Sequence, residues 1–108
     1  GQRDARLEAA LAMLEREPGA VSIKQAARDV GVSSSHLRAL AQRDLGASLS
    51  HWLIWKKLEH AARSVTTGEA LAQSAASGGF VDQAHFANVM RRLLGAAPSQ
   101  IAPVRAAN

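Results

Sequence analysis

Three features of the sequence predict an all-α domain made of two helix-turn-helix units joined by one long central helix. The stretch from Ser33 to Gly46 is echoed forty-nine residues later: set against the residues from Asp82 onward, His36 falls on His85, Leu37 on Phe86, Leu40 on Val89, Arg43 on Arg92 and Gly46 on Gly95, without a gap. In both copies a glycine (Gly31, Gly79) stands ahead of a polar capping residue (Ser33, Asp82) that opens an apolar-striped segment. Between the copies lies the longest amphipathic run of the chain, from Ser48 to about Val65. Two copies are too few to stack into a solenoid, so a paired module is expected.

Each element has its own reason. Between Arg3 and Glu17, Leu7, Leu11 and Leu14 share one helical face, and Pro18-Gly19 ends the run. This is a support helix. Ser22 with Gln25 three residues on reads as a capping box for a second helix, whose buried stripe is Ile23, Ala26, Ala27 and Val30. Gly31 supplies the positive φ of a sharp helix-helix turn. After Ser33, residues Leu37, Leu40, Ala41 and Leu45 form an apolar face, while Ser34, Ser35, Arg38, Ala39 and Gln42 form the opposite one. Small polar residues and one guanidinium at the first two turns of a helix suit a major groove about 12 Å wide.

The central helix is expected to bury Leu49, Leu53, Leu58, Ala61, Ala62 and Val65, with one of Trp52 and Trp55 in the core and the other near the surface. At 1.5 Å per residue it spans about 27 Å, a sensible spacer between two reading heads on successive major-groove faces about 34 Å apart. Thr66 and Glu69 have capping-box spacing for the next helix, in which Leu71, Ala72 and Ala75 are the apolar positions and Ser77-Gly78-Gly79 the turn. After Asp82 the buried face is Phe86, Val89, Met90, Leu93 and Leu94. Pro98 begins a final short helix through Ile101, Pro103 blocks its continuation, and residues 104–108 should fray. The expected partition is a support helix (1–20), a first helix-turn-helix (21–47), a linker helix (48–66), a second helix-turn-helix with the final short helix (67–103) and a tail.

Composition narrows the chemistry. The 108 residues carry a net charge of +4 and no cysteine, which excludes disulfides and thiolate chemistry and fits a reducing cytoplasm. The positive excess lies in residues 18 to 68, around the first copy, where a polyanion would sit. No eighteen apolar residues run together. Histidines 36, 51, 60 and 85 have neither i, i+4 spacing nor carboxylate companions, so no metal, no cofactor and no enzymatic centre is expected. The chain opens at Gly1 rather than methionine, so further sequence is expected ahead of it.

Three stretches, VGVSSSHLRALAQRDLGASLSHWL, KLEHAA and GFVDQAHFANVMRRLLGAAPSQI, resemble the DNA-binding domain of AraC/XylS-type bacterial transcription regulators, from about Leu7 to Ile101. The resemblance implies seven helices, sequence-specific binding of double-stranded DNA in transcription regulation, and two recognition helices in successive major grooves. Carried over by position, it puts Ser35, Arg38 and Ala39, then Gln83, Ala84 and Asn88, on bases. Phosphates would be met by Ser33, Ser34, Lys24, Arg43, Lys56, Lys57, Arg91 and Arg92, with Arg43, Arg91 and Arg92 alternatively at the core edge. Asp82 would repel a phosphate unless occupied as a helix cap.

The resemblance also implies a cytoplasmic, nucleoid-associated protein, RNA polymerase as a partner, and an effector-sensing or dimerisation domain N-terminal to this one. Members commonly have arginine at the places of Ala39 and Asn88, an aromatic at Ala41 and Met90, and an aliphatic at Ser74 and Gly78. The second unit is therefore expected to pack more weakly. The competing reading is a helical protein-interaction module that docks RNA polymerase or a partner domain, with the second unit degenerate for DNA.

Overall fold

The computed structural model describes residues 3–103. Among these it has seven helices and no strand: α1 (Ala5–Arg16), α2 (Ile23–Asp29), α3 (Ser34–Leu45), α4 (Leu49–Thr66), α5 (Leu71–Ser77), α6 (Gln83–Leu94) and α7 (Pro98–Ile101). The chain forms two compact units that meet within α4, between Lys56 and Lys57. The expected fraying of residues 104–108 lies outside the described residues.

The first unit is organised by leucines. Leu7, Leu11 and Leu14 of α1 close over Ala26 and Ala27 of α2, Leu37, Leu40 and Ala41 of α3, and Leu49 of α4. Burying each leucine contributes about 2 kcal/mol, before the entropy of ordering it is counted. Trp52 and Leu53 pack against this core partly buried, whereas Trp55 is exposed and donates from Nε1 to His51 Nε2 at 2.8 Å. Caps fix the helix starts. Asp4 accepts from the amides of Arg6 and Leu7, and Ser22 and Gln25 exchange both bonds of a capping box at 3.1 and 2.9 Å.

The second unit has a different core, built on aromatics. Phe86 is fully buried and stacks on Phe80 with ring centroids 5.3 Å apart, amid Leu58, Ala61, Val65, Ala75, Val89 and Met90. Three expectations fail here, each for a local reason. Thr66 and Glu69 do not cap α5: α4 runs on to Thr66, whose hydroxyl donates to the Arg63 carbonyl at 2.8 Å, and Ala70 becomes a cap with no side-chain bond. On α5 the inward face is Ser74 and Ala75, while Ala72 is exposed. Leu94, in the last turn of α6, is 49% exposed instead of completing the buried face.

Ser74 and Gly78, expected to leave the second unit underfilled, both lie buried against α4. The Ser74 hydroxyl is 3.1 Å from that of Ser64, so this buried polar side chain has a partner. At Gly78 an added Cβ would stand 2.7 Å from Ala61 Cβ and 2.8 Å from the Lys57 carbonyl oxygen. A side chain there is excluded by backbone, and its absence lets α5 close on α4.

Candidate nucleic-acid interface

The turn in each unit is set by one glycine in the left-handed region, Gly31 at φ 79° and Gly79 at φ 80°. Without a Cβ these residues reverse the chain at no steric cost, and the following helix starts within a few residues. Ser33 caps α3, its Oγ accepting from the His36 amide at 3.0 Å. Asp82 caps α6 the same way, Oδ1 accepting from the His85 amide at 2.8 Å. The Asp82 carboxylate is thereby occupied, which is the condition under which a phosphate can approach that end.

The first two residues of each helix, Ser34 and Ser35 in α3 and Gln83 and Ala84 in α6, have amides with no intrahelical carbonyl to bind. Such amides, with the positive end of the helix dipole, favour anions. Burial of Leu37, Leu40 and Ala41 turns the other side of α3 to solvent, and Ser35, Arg38, Ala39 and Gln42 are all exposed. Burial of Phe86, Val89 and Met90 does the same for α6, exposing Gln83, Ala84 and Asn88. His36 and His85, equivalent in the repeat, are exposed too, and the His85 ring lies edge-on to Phe80 at 5.4 Å.

Two of these exposed side chains already hold partners. Arg38 donates from Nη1 to the Ser50 hydroxyl, across from α3 to the first turn of α4, at 2.8 Å. Asn88 accepts at Oδ1 from Arg91 Nη2 at 2.6 Å, one turn along α6, leaving its amide donors outward.

The cationic residues divide into engaged and outward. Arg43 grips Asp44 through Nε and Nη2 at 2.7 and 3.2 Å, and Asp44 Oδ2 in turn accepts the Asp4 amide at 2.8 Å. Asp44 therefore tethers the start of α1 to the end of α3, and the exposed Arg43 guanidinium braces its carboxylate. That guanidinium, then the Asp4 amide, hold the Asp44 carboxyl below the ordinary carboxylate range. Bonds from Arg6 lower Asp4 from 3.8 to about 2. Lys56 reaches Glu15 at 3.3 Å and sits 5.6 Å from the centre of the Trp52 ring.

Lys24, by contrast, is exposed, and lines a shallow open groove with Arg28, Val32, Ser33 and Ser34 beside the α3 N-terminus. Lys57 is half-buried and Arg92 exposed. Arg28 went unnoticed in the sequence, although it follows Lys24 by four residues and so shares its helix face. Ser50 is likewise invisible to helical spacing, because its partner Arg38 lies twelve residues away on another helix. No group of three histidine or carboxylate residues able to hold a metal occurs among the described residues, and none of their helices is long and apolar enough to cross a membrane.

Comparison with known proteins fits this geometry. Residues 26–102 match the family model described as a helix-turn-helix domain. The invasion protein InvF of Salmonella typhi is 26% identical over 93 residues, covering 85% of this chain and 43% of InvF. The chain thus spans about two fifths of the length of the curated relatives it matches.

Among solved structures, an AraC-type transcriptional regulator from Chromobacterium violaceum superposes with a TM-score of 0.81 at 24% identity, over 89% of this chain and 88% of that one. The DNA-binding domain of the global transcriptional factor AdpA, solved in complex with a target DNA, gives 0.80 at 19% identity over 90% and 89%. With the family model covering most of its length, the chain belongs to the AraC-type helix-turn-helix family, and it shares the fold of solved AraC-type DNA-binding domains.

Proposed function

We propose that this chain reads duplex DNA sequence-specifically to regulate transcription, with α3 and α6 entering successive major grooves. The observation that carries the reading is the duplicated surface. Each unit ends its helix-turn-helix in a twelve-residue helix that is capped by a side chain and has free amides at its start. Over its first two turns that helix turns an exposed face of polar and small residues to solvent, Ser35, Arg38 and Ala39 in one and Gln83, Ala84 and Asn88 in the other. Ser35, Arg38 and Ala39 on α3 and Gln83, Ala84 and Asn88 on α6 are the proposed base contacts. Arg38 is suited to a guanine edge, and Gln83 and Asn88 to adenine edges.

Ser33, Ser34, Lys24, Lys57, Arg91 and Arg92 are proposed on phosphates, and Arg28 joins them from its place beside Lys24. Arg43 and Lys56 would have to leave Asp44 and Glu15 first, so their contribution is placed below the others. Neutralising five or six phosphates gives a log-log slope of affinity against salt of roughly −5. Fluorescence anisotropy on a site selected from random DNA tests this, and an affinity indifferent to salt would sink it. RNA polymerase, and a sensing or dimerisation domain elsewhere in the full protein, belong to the same proposal. The exposed Ile54 and Trp55 on α4 favour a second, compatible reading, in which this domain also docks a protein partner.

A further inference from the structure

A guanidinium reads guanine only when one of its edges offers two parallel N–H donors to O6 and N7 at once. On a flexible side chain at the surface that edge is free to rotate, and the ordering must be supplied on binding. Arg38 is not free in this way: its Nη1 donates to Ser50 Oγ at 2.8 Å, from the second turn of α3 to the first turn of α4. Of the donors a guanidinium carries, Nη1 is the one whose use leaves the Nε and Nη2 edge intact. Ser50 is exposed, so the bond fills no hole in the core. The start of α4 is itself held, Ser48 Oγ accepting from the His51 amide at 3.1 Å and Leu49 being buried in the first core. The serine hydroxyl is therefore mounted on a fixed element.

From this arrangement we infer that Ser50 is a positioning residue: it holds Arg38 with its Nε–Nη2 edge presented for one guanine, and so sets base preference without touching the base. The inference rests on the proposed role of Arg38 as a base reader. It makes α4 part of the reading apparatus as well as a connection. Ser50 and Ser99 are equivalent in the repeat, but the counterpart of Arg38 is Ala87, which carries no guanidinium for a serine to hold. The device is peculiar to the first unit.

The test is a ratio of affinities, measured by anisotropy on a selected site and on duplexes that replace each guanine of the site in turn. A variant that merely folds less well lowers both affinities and leaves the ratio alone. Arg38→Ala should flatten the ratio at one guanine. Ser50→Ala should flatten the ratio at the same guanine by about three- to tenfold, the worth of one hydrogen bond. Ser50→Thr, which keeps the hydroxyl, should restore it, and adding Ser50→Ala to Arg38→Ala should change the ratio no further. Retention of the full ratio by Ser50→Ala, where Arg38→Ala flattens it, overturns the inference and leaves the reading by Arg38 standing. If Arg38→Ala itself flattens no position, the reading by Arg38 fails and takes the inference with it.

Discussion

In the first unit one residue, Val32, separates the turning glycine from the helix cap; in the second there are two, Phe80 and Val81. The backbone shows which is the addition. Val32 donates to the Ala27 carbonyl at 3.0 Å and Phe80 to the Ala75 carbonyl at 3.0 Å, so Phe80 is the counterpart of Val32 and Val81 is extra. Val32 packs on the first core half-buried, Phe80 is nearly buried against Phe86, and Val81 is left 86% exposed. The first unit is also braced by α1 and tied at its proposed reading face through Arg38 and Ser50, while on α6 Asn88 is bonded within its own helix. The same motif is thus stabilised by leucines and inter-helix ties in one half, and by an aromatic pair and close backbone approach in the other.

Sharpening that contrast starts with the cores. Leu37 and Phe86 are equivalent in the repeat and both fully buried. Phe86→Ala should cost about 4 kcal/mol and Leu37→Ala about 3 kcal/mol, each loosening its own unit in hydrogen exchange resolved along the chain. Loss of protection spreading equally through both units would erase the distinction. At Gly78 the expected cost is smaller: Gly78→Ala should destabilise the second unit by about 2 kcal/mol in urea unfolding, because the new methyl meets the Lys57 carbonyl and Ala61. A neutral or stabilising result would mean that α5 can shift away from α4 without penalty.

The smallest expected effect is on acidity and concerns the first unit alone. Asp4 and Asp44 are both held below their ordinary values, Asp4 from 3.8 to about 2, by bonds that exist only in the folded chain. Groups depressed in this way stabilise the fold above the unfolded value and lose that contribution as pH falls through the folded one. Protection of the α1 amides should therefore decline between about pH 4 and pH 2 ahead of those in α6, and Asp44→Asn should blunt the decline. Parallel acid loss in α1 and α6 would show that the tether at Asp44 has no separate weight.

Much of this was legible in the sequence. The seven helices follow from apolar spacing at Leu7, Leu37, Phe86 and their mates, and the caps at Ser22, Ser33 and Asp82 follow from residue type. The exposed faces of α3 and α6 follow by subtraction. What could not be read had one of two causes. The role of Thr66 is ambiguous in sequence because a hydroxyl can cap the next helix or bond back into the previous turn, and only the length of α4 decides. Gly78, Ser50 and Arg43 depend on contacts between residues far apart in the chain, Gly78 with Ala61, Ser50 with Arg38 and Arg43 through Asp44 with Asp4. The extra residue at Val81 was visible as a mismatch between the glycine spacing and the repeat period, yet an ungapped match hides it.

That additional valine governs what can be exchanged between the halves. A chimera in which Gln83–Leu94 replaces Ser34–Leu45 behind the native Gly31-Val32 turn would lack Phe80, so the transplanted Phe86 would enter a pocket shaped for leucine without its stacking neighbour. Moving a reading helix between sites therefore means moving its turn, from the glycine onward, as one cassette. Redesign of specificity by side-chain replacement on the existing helices avoids that constraint.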